Sequence, residues 1–144
     1  MAIRTISATN SANSGDLKDG SSYTYSGSTS HSGVVSNGTV SSATLTISSI
    51  KTYASSWYLS VYVGGTKVAE TVELDDKNST SHSATYELEY LKPELLTATG
   101  SIKFKVYNNN SSSANTCNFR SGTATITVNY SAPSLGTPGT PSVS

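Results

Sequence analysis

The sequence predicts an all-β protein, an antiparallel β-sandwich of seven or eight strands with at most one short helical turn. Short segments in which apolar and polar residues alternate recur along the chain, and turn-forming residues separate them. The composition agrees with this pattern. The chain has 29 serines and 20 threonines but only 12% charged residues, which suits hydroxyl-covered faces of half-buried strands better than a charge-rich disordered chain.

The clearest strands form a hairpin over residues 56–74. Apolar residues share one face on each side of a Gly64–Gly65 turn, namely Leu59, Val61, Val63, Val68, Val72 and Leu74. Glycine adopts the positive φ of a tight turn without steric cost, so two antiparallel strands are expected around it. The apolar face of this hairpin needs a partner layer, which is why a sandwich is predicted.

Six further segments complete the predicted sandwich. Their alternation predicts strands over residues 3–9 (an edge strand), 23–25, 41–53, 84–90, 101–107 and 122–130. Polar loops are predicted over residues 26–38, 75–81 and 108–118. The first is expected to contain at most one short strand and is long enough to suggest a functional role. A helical turn is predicted at Pro93–Leu96, because proline suits the first helical position and an acidic residue suits the first turn.

Two predicted strands carry complementary charges. Tyr86, Leu88 and Tyr90 are expected to face inward from residues 84–90, and Ile102, Phe104 and Val106 from residues 101–107. If these strands are antiparallel neighbours, the outward residues Glu87 and Glu89 meet Lys103 and Lys105. That pairing explains the glutamates without a glycosidase-like carboxylate pair in a cleft.

The chain is predicted to contain one domain and one linker. Residues 1–131 form the sandwich, and residues 132–144 hold three of the four prolines and are expected to be an extended linker. The N-terminus has no apolar segment of signal-peptide length, so synthesis without export is expected. No stretch is long enough for membrane insertion.

Composition argues against several function classes. Nine basic and nine acidic residues cancel, so no basic face for nucleic acid is expected. The single cysteine, Cys117, excludes an internal disulfide and is expected to be a small buried residue. The two histidines, His31 and His82, belong to no metal or catalytic motif, and no serine lies in a nucleophile elbow. The protein is therefore predicted to be no enzyme, to have no catalytic residues and to need no cofactor.

Asp75 and Asp76 are the only metal candidates in the sequence. With Asn78 they offer oxygen ligands within four residues, a spacing that calcium accepts when other oxygens converge. The alternative is a solvated turn after a strand. A titration with calcium distinguishes the two, because only a calcium site raises the melting temperature.

Aromatic residues on the polar faces of strands suggest a sugar-binding surface. Trp57, Tyr58, Tyr62, Tyr107 and Asn109 are the candidates, because sugar rings stack on exposed aromatic planes beside amides and hydroxyls. Trp57 lies at the start of a strand, where it could equally fill the core.

The order of features over residues 43–130 resembles the jelly roll of carbohydrate-binding modules and galactose-binding-like domains. The matching text is SATLTISSI, WYLSVYVGGTKV, ATYELEYLKPELLTATGSIKFKVYN and ATITVNY. This resemblance implies a jelly-roll topology and glycan binding. Periodicity alone leaves jelly-roll and immunoglobulin-like topologies open.

A second resemblance is to virion proteins of tailed bacteriophages. It is carried by the lack of a signal peptide, the Ser/Thr/Asn/Gly-rich strands and the GTPGTPSVS tail. It implies a structural and adhesion module of a tail, baseplate or fibre that contacts virion subunits, copies of itself and host-surface polysaccharide. Such a protein is made in the host cytoplasm and located in the virion. The alternative is a carbohydrate-binding module excised from a secreted bacterial glycanase or surface protein, with an extracellular location.

Overall fold

The computed structural model describes residues 2–11, 13, 16–17, 22–25, 29–52, 58–63, 66–71, 77–98, 104–109 and 117–132. These residues form eleven strands and one helix: β1 (Ala2–Asn10), β2 (Asp16–Leu17), β3 (Ser22–Tyr25), β4 (Thr29–His31), β5 (Thr39–Thr52), β6 (Tyr58–Val63), β7 (Thr66–Thr71), β8 (Lys77–Glu89), α1 (Glu94–Thr97), β9 (Phe104–Asn109), β10 (Cys117–Phe119) and β11 (Gly122–Ser131). None of the helical structure in these ranges is long and apolar enough to cross a bilayer.

The strands form an antiparallel sandwich with the nested pairing of a jelly roll. Eight principal strands form four nested pairs, in which the first strand pairs with the last, the second with the second to last, and so on. The pairs are β1 with β11, β3 with β9, β5 with β8, and β6 with β7. One layer therefore has the order β8–β5–β11–β1 and the other has the order β7–β6–β9–β3. The predicted all-β sandwich is confirmed, and this strand order is that of a jelly roll.

The layers share one hydrophobic core, built from alternate residues as the pattern predicts. Every second residue is buried at Ala43, Leu45 and Ile47 of β5, at Leu59, Val61 and Val63 of β6, and at Ala124, Ile126 and Val128 of β11. The predicted helical turn is also confirmed. Pro93 precedes α1, in which Leu95 and Leu96 are buried in the core.

A β-bulge changes which residues of the second hairpin strand, β7, face the core. Val61 pairs with Ala69 but Tyr62 pairs with Lys67, so Val68 is an extra residue in β7. Val68 and Ala69 are consequently both buried, and Thr71 rather than residue 72 continues the inward face. Val72 and Leu74, which were predicted to face inward, lie outside the described residues.

The predicted pairing of two glutamates with two lysines is wrong. β8 pairs with β5 and β7, whereas β9 pairs with β6 and β3. Glu87 therefore lies opposite Thr44 and Glu89 lies opposite Glu70. The physical reason is the jelly-roll connection through α1, which carries the chain to the other layer instead of turning back beside β8.

Other predicted element boundaries also change. β8 begins at Lys77, inside the predicted loop 75–81, because its first residues pair with the end of β5 at Thr52. β1 was predicted to be an edge strand but lies between β11 and β4, which pairs with Ile6–Ala8. The linker predicted at residues 132–144 lies outside the described residues beyond Ala132.

Arg4 is a completely buried cation that joins three segments of the fold. Its guanidinium donates hydrogen bonds to the carbonyl oxygens of Gly33 at 3.2 Å, Leu95 at 3.0 Å and Ala98. Burial lowers the pKa of Arg4, and the nearby Tyr130 acts in the opposite direction. The Arg4 guanidinium stays ionised at neutral pH. Its hydrogen bonds to these carbonyl oxygens therefore replace the hydration that it loses on burial.

Candidate binding face

Four of the five predicted sugar-contact positions come together on two neighbouring strands. Tyr58 pairs with Asn109, Ser60 with Tyr107, and Tyr62 with Lys105. Leu59, Val61 and Val63 point into the core, so positions 58, 60 and 62 and their cross-strand partners belong to the opposite surface of this layer. We call the outer surface of β9, β6 and β7 that carries Tyr58, Tyr62, Tyr107 and Asn109 the tyrosine face.

The register sets the spacing of these positions. Directly paired residues have Cβ atoms about 5 Å apart, and diagonal neighbours such as Tyr107 and Tyr62 are roughly 7–8 Å apart. Tyr62 is half-buried. The side chains of Tyr58, Tyr107 and Asn109 lie outside what the structure describes, as do the whole of Trp57 and the calcium candidates Asp75 and Asp76.

The bulge in β7 creates an ion pair beside the tyrosine face. In a regular strand, residues three apart point to opposite faces, but the extra residue Val68 brings Lys67 and Glu70 to the same face. Lys67 Nζ lies 2.5 Å from Glu70 Oε2, and Ser60 Oγ donates to the same oxygen across a longer distance of 3.4 Å. The Glu70 side chain is only 8% exposed, so this carboxylate depends on its partners.

Glu70 also faces a like charge, because it is the cross-strand partner of Glu89. Carboxylates directly opposite each other on neighbouring strands repel. Lys67 offsets this repulsion as well as the cost of burying Glu70. The bulge therefore places the one lysine, Lys67, whose charge stabilises Glu70 opposite Glu89.

Replacing Lys67 by glutamine is expected to lower the free energy of unfolding by about 1–2 kcal/mol, a value reduced from that of a fully buried pair because Lys67 is partly exposed. Urea unfolding measures the change. Lys92→Gln is the matched control, because Lys92 is exposed on the adjacent segment, and it is expected to change stability by less than about 0.5 kcal/mol. Equal effects of the two substitutions would contradict a role for Lys67 in compensating Glu70.

Tyr90 is a candidate binding residue that the sequence pattern placed wrongly. It was predicted to face inward, but it is 65% exposed and its backbone has φ 58°. β8 ends at Glu89, and the chain then turns so that Lys92 N donates to Val68 O at 3.1 Å, at the bulge. The proline at position 93 is the one local sign that the strand stops before Tyr90.

Lys67 connects Tyr90 with the tyrosine face. Its Nζ lies 5.7 Å from the centroid of the Tyr90 ring, within the range of a cation–π contact, and Lys67 is also the cross-strand partner of Tyr62. Tyr90 therefore lies at the rim of this face, across β7 from Tyr62. A left-handed backbone is uncommon for an aromatic residue and costs about 1–3 kcal/mol.

A separate cleft lies at one end of the sandwich. It has a volume of about 410 Å³ and is lined by Val35, Asn37, Gly38, Pro93, Leu96 and Thr97. The described residues that line it include no titratable side chain, and Asn37 supplies the one amide. This cleft is less suited than the tyrosine face to a hydroxyl-rich ligand, which needs several hydrogen-bonding side chains.

The described residues do not bring together a metal centre. No group of three His, Cys, Asp or Glu side chains in these ranges is arranged to hold a metal ion. His31 is on β4 and His82 is on β8, and the strand order separates them by three strands. The residue types at the tyrosine face are ones that can stack and form hydrogen bonds.

Neither a comparison with models of known protein families nor a comparison with curated proteins finds a match for this chain. What the chain does has to be inferred from the tyrosine face itself.

Proposed function

We propose that this protein is a non-enzymatic structural and adhesion module of a virion appendage, such as a phage tail, and that it attaches to host-surface glycan through the tyrosine face. The observation that carries the proposal is the β6–β9 register, which groups Tyr58, Tyr62, Tyr107 and Asn109 on the surface away from the core. The protein needs no cofactor for this role.

Glycan binding follows from the residue types on this face. The C–H surface of a sugar ring packs on an aromatic plane, and a phenol also offers a polar tip for hydroxyl groups. The register pairs position 109, an asparagine, with Tyr58 and position 105, a lysine, with Tyr62, so residue types that form hydrogen bonds occupy neighbouring positions. A strand surface outside any pocket suits an extended polysaccharide better than a small molecule, which prefers an enclosed pocket.

The assembly role is supported by the fold and by the other layer. Jelly rolls occur in viral capsid and lectin domains. On the layer away from the tyrosine face, Ile3 is 59% exposed and Val34 is 47% exposed. A contact between subunits at these residues leaves the tyrosine face accessible.

The second candidate function is that of a carbohydrate-binding module from a secreted bacterial glycanase or surface protein. The same tyrosine face supports it. The two functions differ in assembly, because a virion appendage is built by symmetric repetition, whereas an appended binding module works as a monomer.

The test measures glycan retention and molar mass on the same preparation. Native gels containing starch, hydroxyethyl cellulose, galactomannan or polygalacturonate are expected to retard the wild-type protein in at least one case. Tyr62→Ala and Tyr107→Ala are expected to remove the retardation. Ser83→Ala, at an exposed position on β8 in the other layer, is the matched control and should leave it unchanged.

Light scattering then separates the two candidates. A trimer or larger ring supports the virion appendage, and a monomer that binds glycan supports the carbohydrate-binding module. Retention that survives both tyrosine substitutions, or no retention by any polysaccharide or bacterial surface, would contradict the tyrosine face as the binding site.

A further inference from the structure

We infer that Tyr90 extends the tyrosine face into a subsite for neutral hexose polysaccharide, with its ring as a stacking platform and Lys67 and Glu89 as hydrogen-bonding groups. This inference rests on the proposed glycan binding and adds a residue and a ligand class to it. Three features of Tyr90 carry it: its exposure, its backbone conformation and the balanced charges around it.

Exposure and conformation together distinguish Tyr90 from an incidental surface residue. It is the most exposed of the large hydrophobic residues identified in the described ranges, at 65%, against 59% for Ile3. The only other non-glycine residue there with positive φ is Asn37, a type that tolerates this conformation. An aromatic side chain kept exposed in a strained conformation points to a use for the ring.

The fold holds this ring in place before any ligand arrives. The hydrogen bond from Lys92 N to Val68 O fixes the chain just after Tyr90. Lys67 lies against the ring, and its own position is set by Glu70 at 2.5 Å. Because these contacts restrict the backbone and one side of the ring, a sugar ring that stacks on Tyr90 loses less of the contact energy to ordering.

The charges around this subsite cancel. Among the described side chains near Tyr90, Lys67 is paired with Glu70, and the exposed Glu89 and Lys92 lie one residue before and two residues after Tyr90. These two lysines and two glutamates leave no net charge to favour a charged polysaccharide. Lys67 can only donate hydrogen bonds and Glu89 can only accept them, and a sugar hydroxyl does both. This combination matches a neutral hexose.

The experiment compares Tyr90→Asn with Tyr90→Phe in gels containing starch, hydroxyethyl cellulose, galactomannan or polygalacturonate. Asparagine tolerates the left-handed backbone, so Tyr90→Asn is expected to keep or raise the melting temperature while weakening retention by about tenfold. Tyr90→Phe keeps the ring and should retain binding within about twofold. Tyr90→Gly, which also relieves the backbone, serves as a second variant without a ring.

The outcomes separate this inference from the proposed function. If Tyr62→Ala abolishes retention while Tyr90→Asn and Tyr90→Gly do not weaken it, Tyr90 is not part of the site and the inference is wrong. If none of these substitutions changes retention, the tyrosine face itself fails as the site. Neutral polysaccharides should be bound with little dependence on salt. A preference for polygalacturonate that weakens with added salt would overturn the neutral ligand class.

Discussion

Arg4→Met is expected to lower the free energy of unfolding by about 3 kcal/mol. The methionine keeps the apolar stem but removes every hydrogen bond that the guanidinium donates. The carbonyls of Gly33, Leu95 and Ala98 then lose their charged donor, and the bond to Leu95 is lost at a buried position. Losing one hydrogen bond to a charged group costs about 1.5–3 kcal/mol, and several are lost here. Packing of the methionine side chain offsets part of this total cost.

Urea unfolding of the purified variant measures this cost. Arg120→Met is the matched control, because Arg120 is the chain's other arginine and is partly exposed, and it is expected to change stability by less than about 1 kcal/mol. Near-equal effects of the two substitutions would show that the buried guanidinium does not hold β1, α1 and the segment after β4 together.

Gly122→Ala is expected to cost about 2–4 kcal/mol. Gly122 begins β11 with φ 148°, and a Cβ there would lie 2.2 Å from Ser48 Oγ. The serine cannot turn away without loss, because its Oγ accepts a hydrogen bond from Thr123 N at 2.8 Å. Backbone strain and a steric clash therefore act on the same residue.

Two further variants test that explanation by thermal unfolding. Gly33→Ala is the control, because a Cβ at Gly33 meets no atom within 4 Å, and it should leave the melting temperature nearly unchanged. Ser48→Ala removes the clashing oxygen, so Gly122→Ala should cost less in that background than in the wild type. Strictly additive effects of the two substitutions would rule out the clash as the cause.

The alternation of apolar and polar residues was enough to predict the principal strands of this sandwich and, for several of them, the side that faces the core. Alternation identified the buried residues of β5, β6 and β11, and Pro93 located α1. These features depend on neighbours within a few residues, so the sequence contains them directly. The strand order was not accessible from periodicity, because the insertion of β9 between β6 and β3 is decided by packing between distant segments.

The candidate site was only partly predictable for the same reason. Tyr58, Tyr62, Tyr107 and Asn109 could be selected as polar-face residues, but their grouping needed the β6–β9 register. No glycine in the sequence indicates the bulge at Val68. The bulge, and with it the Lys67–Glu70 ion pair, was therefore not predicted. Tyr90 was assigned inward because alternation was continued one residue beyond the strand.

Binding at the tyrosine face is tested most directly by a nuclear magnetic resonance titration. The probe is an oligosaccharide prepared from whichever polysaccharide retains the protein in native gels, and the backbone amide shifts report where it binds. The expected shift changes are confined to β6, β7, β9 and residues 90–92. Changes centred instead on the cleft lined by Val35 and Leu96, or on β1 and β11, would contradict the proposed binding face.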